Sequence, residues 1–421
     1  MSTSSVRTKF AHDIARIALP DARAAMLART SPLPLETVAI LAASGRVVAQ
    51  SYRAGDDIVP FARSAMDGYA LRAADTDAAS GVVPIALPVA FAIFAGDGAA
   101  SLVAGTASAI TTGAMLPAGA DAVVPFEDID RVGDAIVLRA PLAPLDHVFE
   151  PGDDAKRGDV LVPANTVLTP GGAALLAAAG IGRVAVHRRP RIAIVSTGNE
   201  VVAIEANPRP GQIRNSNATM LAALLSGDGA DVVFCEHALD DVDAVRATIE
   251  RAIASADLVI TTGGASTGER DYVKRTLRDL GADFAFDSIA LRPAKPTGFA
   301  SFESAQIAVL PGNPAAAYVA YVALVRGVIR RFAGHLQPYA QPVTATLRGT
   351  IHSKANRHFL MFAMLSLRDG RLDVTPLENQ CSSLVRTSAD ANALIVVEPG
   401  TATVSSGALV QCEVLRPLEM Q

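Results

Sequence analysis

The stretch from Asp257 to Tyr272 constrains the fold most, because it joins a short apolar strand to a helix through a glycine-rich turn. Glycines allow a tight turn in which backbone N–H groups can approach a ligand closely. The free N–H groups of the helix that follows suit a phosphate or another oxyanion. Glu269 and Asp271 would repel a bare anion, so one interpretation places Mg²⁺ beside the phosphates. The other is a plain turn whose acidic residues complement the helix dipole.

A second unit of the same kind follows further along the chain. The apolar stretch Gln306 to Leu310 leads into Pro311-Gly312-Asn313-Pro314. Asn313 is suited to cap a helix and Pro314 to begin it, and the helix then extends toward Arg330. In an open α/β sheet, ligands bind at the carboxyl ends of the strands.

Between residues 188 and 335, apolar strands alternate with helical patterns, which predicts a mostly parallel sheet covered by helices. The strands are expected at 192–195, 231–235, 258–261 and 307–310, and the helices near 217–226, 241–255, 271–280 and 314–332.

The flanking regions have other patterns. Residues from about 8 to 50 are predicted to be helical with a break at 31–34, whereas residues 51–150 hold the short apolar runs of a β domain. After about residue 338 short strands return, at 343–347, 359–367, 372–376, 393–398 and 409–415.

Composition narrows the class of protein. A chain of 421 residues is expected to form two to four domains. Its net charge of −5 shows no excess of basic residues, so the composition does not indicate nucleic-acid binding. Three widely separated cysteines favour a reducing compartment. The polar segment 1–10 shows no signal peptide, and the apolar helix at 315–329 is too short to span a bilayer, so we expect a cytoplasmic protein without a membrane partner.

The chain resembles the molybdopterin molybdenumtransferases, the molybdenum cofactor insertases that include the C-terminal domain of gephyrin. The resemblance covers nearly the whole chain and depends on short motifs in a fixed order. These motifs are Ser64-Ala65-Met66-Asp67-Gly68-Tyr69-Ala70, residues 110–114, 152–154, 195–200 and 211–217, the loop 262–271, Lys295-Pro296, and residues 310–314.

The resemblance implies an α/β multidomain fold. Residues 1–50 and 151–187 would form a linking helical and extended domain, and 51–150 a β domain. Residues 188–335 would form a three-layer α/β molybdopterin-binding domain similar to the adenylyltransferase of the same pathway (MoaB/Mog-like), and 336–421 a C-terminal β-barrel domain. Family members resemble elongated homodimers whose site lies between the α/β domain of one subunit and the β domain of the other.

The activity implied is Mg²⁺-dependent insertion of molybdate into adenylylated molybdopterin, with release of AMP and the finished molybdenum cofactor. Transient contact with the adenylyltransferase and with acceptor molybdoenzymes is part of this expectation.

The resemblance also assigns roles to individual residues. Phosphate binding falls to Gly263, Gly264 and Ser266, and Asp271 and Glu200 are expected to ligate or orient Mg²⁺. Asp241, beside Asp240, is a further metal candidate, although capping of the helix that follows explains it equally well. Pro311 and Pro314 would border the bound substrate.

Asp67, Thr112 and Asp154 come from other parts of the chain. Asp67 is expected to position substrate from across the dimer, although on its residue type alone it would be a turn former. Thr112 is a weaker case of the same kind, and Asp154 is a substrate-binding candidate.

Molybdate capture is assigned to Lys295, with Arg292, Arg357 and Ser388 as further candidates. Two departures stand in this region: Arg292 replaces the first lysine of the family's Lys-Pro-Gly-Lys-Pro pattern, and Ala294 replaces its glycine. The alternative is that Arg357 is a surface arginine and Ser388 is a serine in a turn.

Two other functions fit parts of the chain. An adenylyltransferase would need only residues 188–335, and a non-catalytic cofactor-binding scaffold would not need reactive residues at the carboxylate and lysine positions. Release of AMP that depends on molybdate would separate the insertase from both.

Overall fold

The computed structural model describes residues 16–264, 272–353 and 356–416. The chain forms two compact units, one made of residues 1–36 and 185–421 and the other of residues 37–184. No helix in the described ranges is long and apolar enough to cross a membrane.

A six-stranded sheet forms the centre of the first unit. Its first four strands are parallel and its last two run antiparallel to their neighbours. In spatial order the strands are Asp231–Ala238, Arg191–Thr197, Leu258–Thr262, Ala305–Leu310, Gly298–Phe302 and Asp283–Phe286. All four expected parallel strands are present, whereas the antiparallel pair at the edge was missed from sequence.

Alternate residues of these strands enter two separate cores. Ile192 and Ile194 pack on one face, while Ala193 and Val195 pack on the other. This period of two is that of a strand buried on both sides. The sheet is therefore the middle layer of three, as the predicted fold class requires. The helices of this domain are Leu19–Ala28, Ser216–Gly227, Val242–Ser255, Tyr272–Asp279, Pro314–Ala320 and Arg326–Phe332.

The long helix expected at 314–332 changes its winding in the middle. Residues Tyr321–Val325 are π-helical, with i→i+5 geometry. This winding turns Tyr321 and Arg326 toward the same acceptor, the Asp228 carboxylate, at 2.7 Å and 2.9 Å. Burial and Asp228 both raise the pKa of Tyr321, so its hydroxyl remains a donor to that carboxylate.

The C-terminal strands close into a five-stranded barrel around a single apolar core. Its strands are Val343–Leu347, His358–Arg368, Arg371–Pro376, Ala393–Val397 and Leu409–Val414. The barrel confirms the C-terminal part of the predicted fold class. Shorter elements of this unit are Val201–Val202, Ile213–Arg214, Leu291–Arg292, Ile351–His352, Thr403–Val404 and the helix Arg386–Asp390.

The second unit is built on its own six-stranded sheet. The strands in spatial order are Ala122–Pro125, Gly68–Leu71, Ala107–Ile110, Ile85–Ile93, Ala135–Leu138 and Asp130–Val132. Paired short strands, two helices and two 3₁₀ turns complete it: Tyr52–Arg53 with Val160–Val162, Arg63–Ser64 with Val148–Phe149, Ile40–Ala43, Pro170–Ala178, Ala73–Thr76 and Phe126–Asp128.

The N-terminal region is less helical than the sequence predicts. Beyond helix Leu19–Ala28, residues Leu35–Ala39 form a strand, and helix Ile40–Ala43 has only four residues. Pro32 and Pro34 account for the predicted break at 31–34, because proline favours extended backbone in the residue before it. In the strand that follows, the β-branched residues Thr37 and Val38 favour extended backbone over helix. The strand Arg183–His187 brings the chain back to the first unit.

Candidate functional site

A cleft of about 680 Å³ opens at the carboxyl ends of the central parallel strands. Three of these strands end in register, with Ser196 opposite Thr262 and Thr262 opposite Leu310. The cleft is lined by Ser196, Thr197, Gly198, Glu200, Val201, Ile213, Arg214, Asn215, Ser216, Asn217, Asp240, Thr262, Gly263, Gly264, Pro296, Pro311, Gly312, Asn313, Pro314, Ser383 and Val385. The structure thus brings Glu200, Gly263, Gly264, Pro311 and Pro314 into one site.

Glycine is required where the strand ends meet. Gly263 and Gly264 have φ angles of +96° and +59°. A Cβ on Gly263 would lie 2.5 Å from the Thr197 carbonyl oxygen, and a Cβ on Gly312 would lie 3.3 Å from the Gly263 Cα. Backbone therefore forms much of this wall, as expected for a surface that meets phosphate through N–H groups.

Two helices begin at the cleft. Asn215 caps helix Ser216–Gly227 by accepting from the Ala218 N–H at 3.1 Å. Asn313 stands at the cap position of helix Pro314–Ala320, as expected, but its side chain makes no capping bond. The Ser382 carbonyl accepts from the Ala315 N–H at 3.0 Å, and the Asn313 amide instead donates to the Ser382 hydroxyl at 3.2 Å.

The floor of the cleft presents buried polar atoms without partners. The Asn217 amide nitrogen donates to Thr262 Oγ1 at 2.8 Å and to the Gly312 carbonyl at 2.7 Å. Its Oδ1 and the Thr197 Oγ1 are buried and have no hydrogen-bond partner among the described residues. An unpaired buried acceptor is unfavourable, so these atoms are suited to a donor on a bound ligand.

Two carboxylates face the cleft, those of Glu200 and Asp240. Asp240 is held by its neighbour Asn199, whose N–H donates to Asp240 Oδ2 at 3.3 Å and whose Oδ1 accepts from the Asp240 N–H at 3.0 Å. Within the described ranges no group of three or more His, Cys, Asp or Glu side chains could hold a metal. Two carboxylates still fit Mg²⁺, which is commonly bound through one or two of them together with substrate phosphates.

Asp241 has a different environment from Asp240. Its Oδ1 accepts from the N–H groups of Asp243 at 3.1 Å and Ala244 at 2.9 Å, so it caps helix Val242–Ser255. Asp241 is absent from the cleft lining, whereas Asp240 belongs to it. The structure therefore gives Asp241 a capping role and offers Asp240 as the carboxylate for a ligand.

Lys295 is exposed and lies beside Pro296, which lines the cleft. The buried Lys274 ammonium donates to the carbonyl oxygens of Asp287 at 2.7 Å and Pro296 at 2.9 Å, which fixes this loop. The Arg292 guanidinium stacks 4.4 Å above the Phe359 ring. Lys295 and Arg292 are not themselves among the lining residues.

Ala294 adopts φ +93° and is buried, at 3% exposure. The glycine that the family pattern has here would take this conformation without strain, whereas alanine is strained. This departure therefore changes backbone strain in the Lys295 loop.

Asp67 and Thr112 lie together in the second unit. Asp67 Oδ1 accepts from the Thr112 N–H at 2.7 Å and from its hydroxyl at 2.9 Å. The backbone bond first, and then the hydroxyl bond, lower the pKa of the exposed Asp67 carboxyl. The next residue, Gly68, permits close pairing with strand Ala122–Pro125, since a Cβ there would lie 2.0 Å from the Val124 carbonyl oxygen.

The remaining candidates have other surroundings. Asp154 pairs with Arg63 at 3.0 Å, and the Ser388 hydroxyl donates to the Val385 carbonyl at 2.7 Å. Arg357 is partly exposed, and its Nε is buried without a partner in the described part of the chain. Neither Arg357 nor Ser388 lines the cleft. Ser266 and Asp271 lie outside the described residues.

Sequence reasoning gave no role to several residues that line the cleft, among them Asn217, Arg214, Thr197 and Ser383. The first two lie in the quoted motif 211–217, so the motif was a signal for them. Ser383 comes from the C-terminal domain, and no local pattern marks it.

Three family models match the chain. They are described as the MoeA N-terminal region (domain I and II), a probable molybdopterin binding domain, and the MoeA C-terminal region (domain IV). They match residues 17–180, 193–331 and 344–415 respectively.

Whole-chain relatives agree with these models. A molybdopterin molybdenumtransferase of Nostoc sp. is 36% identical over 88% of this chain and 87% of its own length. One of Bacillus subtilis is 34% identical over 90% of both chains. The crystal structure of the molybdopterin biosynthesis MoeA protein from Pyrococcus horikosii covers 96% of this chain and 100% of its own, with 30% identity and a TM-score of 0.79. These findings confirm the resemblance seen in the motifs, and the chain belongs to the molybdopterin molybdenumtransferase family.

Proposed function

We propose that this protein inserts molybdate into adenylylated molybdopterin during molybdenum cofactor biosynthesis, releasing AMP with the help of Mg²⁺. One observation carries the proposal. In a chain of this family, a glycine-walled cleft at the strand ends combines carboxylates with unpaired buried polar atoms. That combination suits a substrate with phosphates, a divalent cation and heterocyclic N–H donors.

Each part of the substrate has a matching part of the cleft. Backbone at Gly263 and Gly264 would meet phosphate oxygens, with the N-terminus of helix Ser216–Gly227 on the same side. Asn217 Oδ1 at the floor would accept from an N–H of the pterin. Such positioning converts binding free energy into orientation of the reacting groups.

The carboxylates of Glu200 and Asp240 would hold Mg²⁺, and Asp271 is a further candidate ligand. The ion would supply neutralisation of charge on the leaving phosphate. Lys295, exposed on a loop fixed by Lys274, would meet the incoming molybdate through its ammonium group.

The proposal extends to assembly and location. A homodimer would place Asp67 of one subunit at the cleft of the other, and contacts with the adenylyltransferase and acceptor molybdoenzymes would be transient. The three cysteines are free thiols, which accords with a cytoplasmic location.

Incubation of the purified protein with adenylylated molybdopterin tests the activity directly. AMP should be released only when both molybdate and Mg²⁺ are present, and a Glu200→Gln variant should release much less. AMP release independent of molybdate would contradict insertion, and tight substrate binding without turnover would indicate a scaffold.

A further inference from the structure

Arg214 is the only cationic side chain among the described residues that line the cleft. The same described lining contains two anionic side chains, Glu200 and Asp240. A polyanionic substrate entering this cleft would therefore meet net negative charge from the side chains, apart from any bound cation. Arg214 is the group in the described lining that can oppose this charge.

The backbone around Arg214 is fixed to that of Glu200. Strand Ile213–Arg214 pairs in parallel with Val201–Val202. The Ile213 N–H donates to the Glu200 carbonyl at 2.7 Å, and the Asn215 N–H donates to the Val202 carbonyl at 2.9 Å. Glu200 and Arg214 are thus held on one edge of the cleft.

The guanidinium is oriented but retains free donors. Its Nε donates to the Ile204 carbonyl at 2.9 Å. Within the described ranges, the two terminal nitrogens of this exposed side chain have no hydrogen-bond or ion-pair partner. A planar guanidinium whose edge between the two terminal nitrogens is free suits bidentate binding of phosphate oxygens.

Two neighbouring features also point to a ligand. Arg214 immediately precedes Asn215, the cap of the twelve-residue helix Ser216–Gly227, whose N-terminus carries a positive dipole end. Independently, Asn217 and Thr197, with 9% and 5% exposure, line the same cleft and keep Oδ1 and Oγ1 without partners. Both features suit the binding of a ligand in this cleft.

We propose that Arg214 binds the pyrophosphate group of the adenylylated substrate through its terminal nitrogens. This inference rests on the proposed function for the identity of the substrate, but the chemistry it claims is recognition of a diphosphate. Arg214 would offset the repulsion from Glu200 and Asp240 and hold the phosphates against the start of helix Ser216–Gly227.

Calorimetric titration with inorganic pyrophosphate and with AMP, each in the presence of Mg²⁺, tests this role. Arg214→Gln should weaken pyrophosphate binding roughly ten- to a hundredfold, as expected for loss of a charge-assisted hydrogen bond. Arg214→Lys should recover only part of the affinity, because an ammonium lacks the fork. Arg209→Gln removes a nearby exposed arginine that does not line the cleft and should leave affinity unchanged.

Melting temperatures of all variants separate binding from folding. If Arg214→Gln has a lower melting temperature than the wild type, the pyrophosphate affinity of Arg214→Lys tests the role instead. The lysine ammonium can still donate to the Ile204 carbonyl, so only part of the affinity should be lost. Wild-type affinity in Arg214→Gln, an equal loss in Arg209→Gln, or no pyrophosphate binding by the wild-type protein would each overturn the proposal. Loss of pyrophosphate binding in Arg214→Gln, without molybdate-dependent AMP release by the wild type, would refute the proposed function and leave this role intact.

Discussion

Two glycines in this protein distinguish a position that needs glycine for its backbone conformation from one that also needs it for lack of space. Gly263 and Gly281 have nearly the same φ, +96° and +89°. A Cβ on Gly263 would contact Thr197 backbone at 2.5 Å, whereas a Cβ on Gly281 would meet nothing within 4 Å. Both would suffer the backbone cost of alanine, but only Gly263 would add a steric cost.

We therefore expect Gly263→Ala to lower the free energy of unfolding by about 1–3 kcal/mol more than Gly281→Ala does. Urea denaturation of both variants and the wild type measures the difference. Both glycines belong to the same unit, which makes the comparison direct. Equal losses in the two variants would show that the strand ends are not in close contact.

The Asp67–Thr112 pair predicts a pH effect. The two hydrogen bonds from Thr112 lower the pKa of Asp67, so the group favours folding above its ordinary pKa of about 4. That contribution is lost as the pH falls through the lowered pKa.

Thr112→Val removes the hydroxyl donor but keeps the backbone donor, which is the larger cause. The pKa of Asp67 should then rise part of the way to its ordinary value, while Thr112→Ser should leave it lowered. Carboxyl-carbon NMR titration of labelled aspartate reports this pKa. The same pKa in Thr112→Val and the wild type would exclude the hydroxyl as a cause.

At the scale of elements, the adjacent aspartates at the start of helix Val242–Ser255 have separate tasks. Asp241 caps the helix through two N–H groups, whereas Asp240 lines the cleft. Asp241→Ala should lower the free energy of unfolding by about 1 kcal/mol, and Asp241→Asn should preserve it because asparagine also caps.

Turnover distinguishes a cap from a metal ligand. Asp240→Asn should reduce AMP release with little change in stability, while Asp241→Asn should retain most activity. If Asp241→Asn removes turnover but keeps the stability of the wild type, Asp241 is a functional carboxylate and the capping account is incomplete.

Three of the four parallel strands could be predicted because each is an apolar run buried on both faces, as in Leu258–Thr262. The fourth, Asp231–Ala238, is a mostly exposed edge strand that was predicted from its short apolar run at 232–235. Strands Asp283–Phe286 and Gly298–Phe302 were not predicted. They form the pair at the edge of the sheet, their burial is mixed, and their sequences contain no β-branched residue. The two helix caps at the cleft likewise differ in whether local sequence predicts them. Asn215 caps through a local bond, whereas at Asn313 a distant segment supplies Ser382 and replaces the local bond. Contacts between distant segments leave no mark in local sequence.

For the whole molecule, the important question is how the two compact units would both contribute to the proposed reaction. The cleft with Glu200 belongs to the first unit, and the Asp67–Thr112 pair belongs to the second. Family resemblance predicts that the Asp67 of one subunit serves the cleft of its dimer partner. This hypothesis requires that each site take its two residues from different chains.

Mixed dimers give opposite results under the two arrangements. A dimer of an Asp67→Ala chain with a Glu200→Gln chain should have about half the wild-type activity if sites are shared, because one site receives both intact residues. A dimer of the double mutant with a wild-type chain should then be inactive, because each of its sites receives one altered residue. Differently tagged subunits allow both dimers to be purified and assayed for AMP release. If the first dimer is inactive and the second keeps half of the activity, each site is built within one chain and the shared-site hypothesis is wrong.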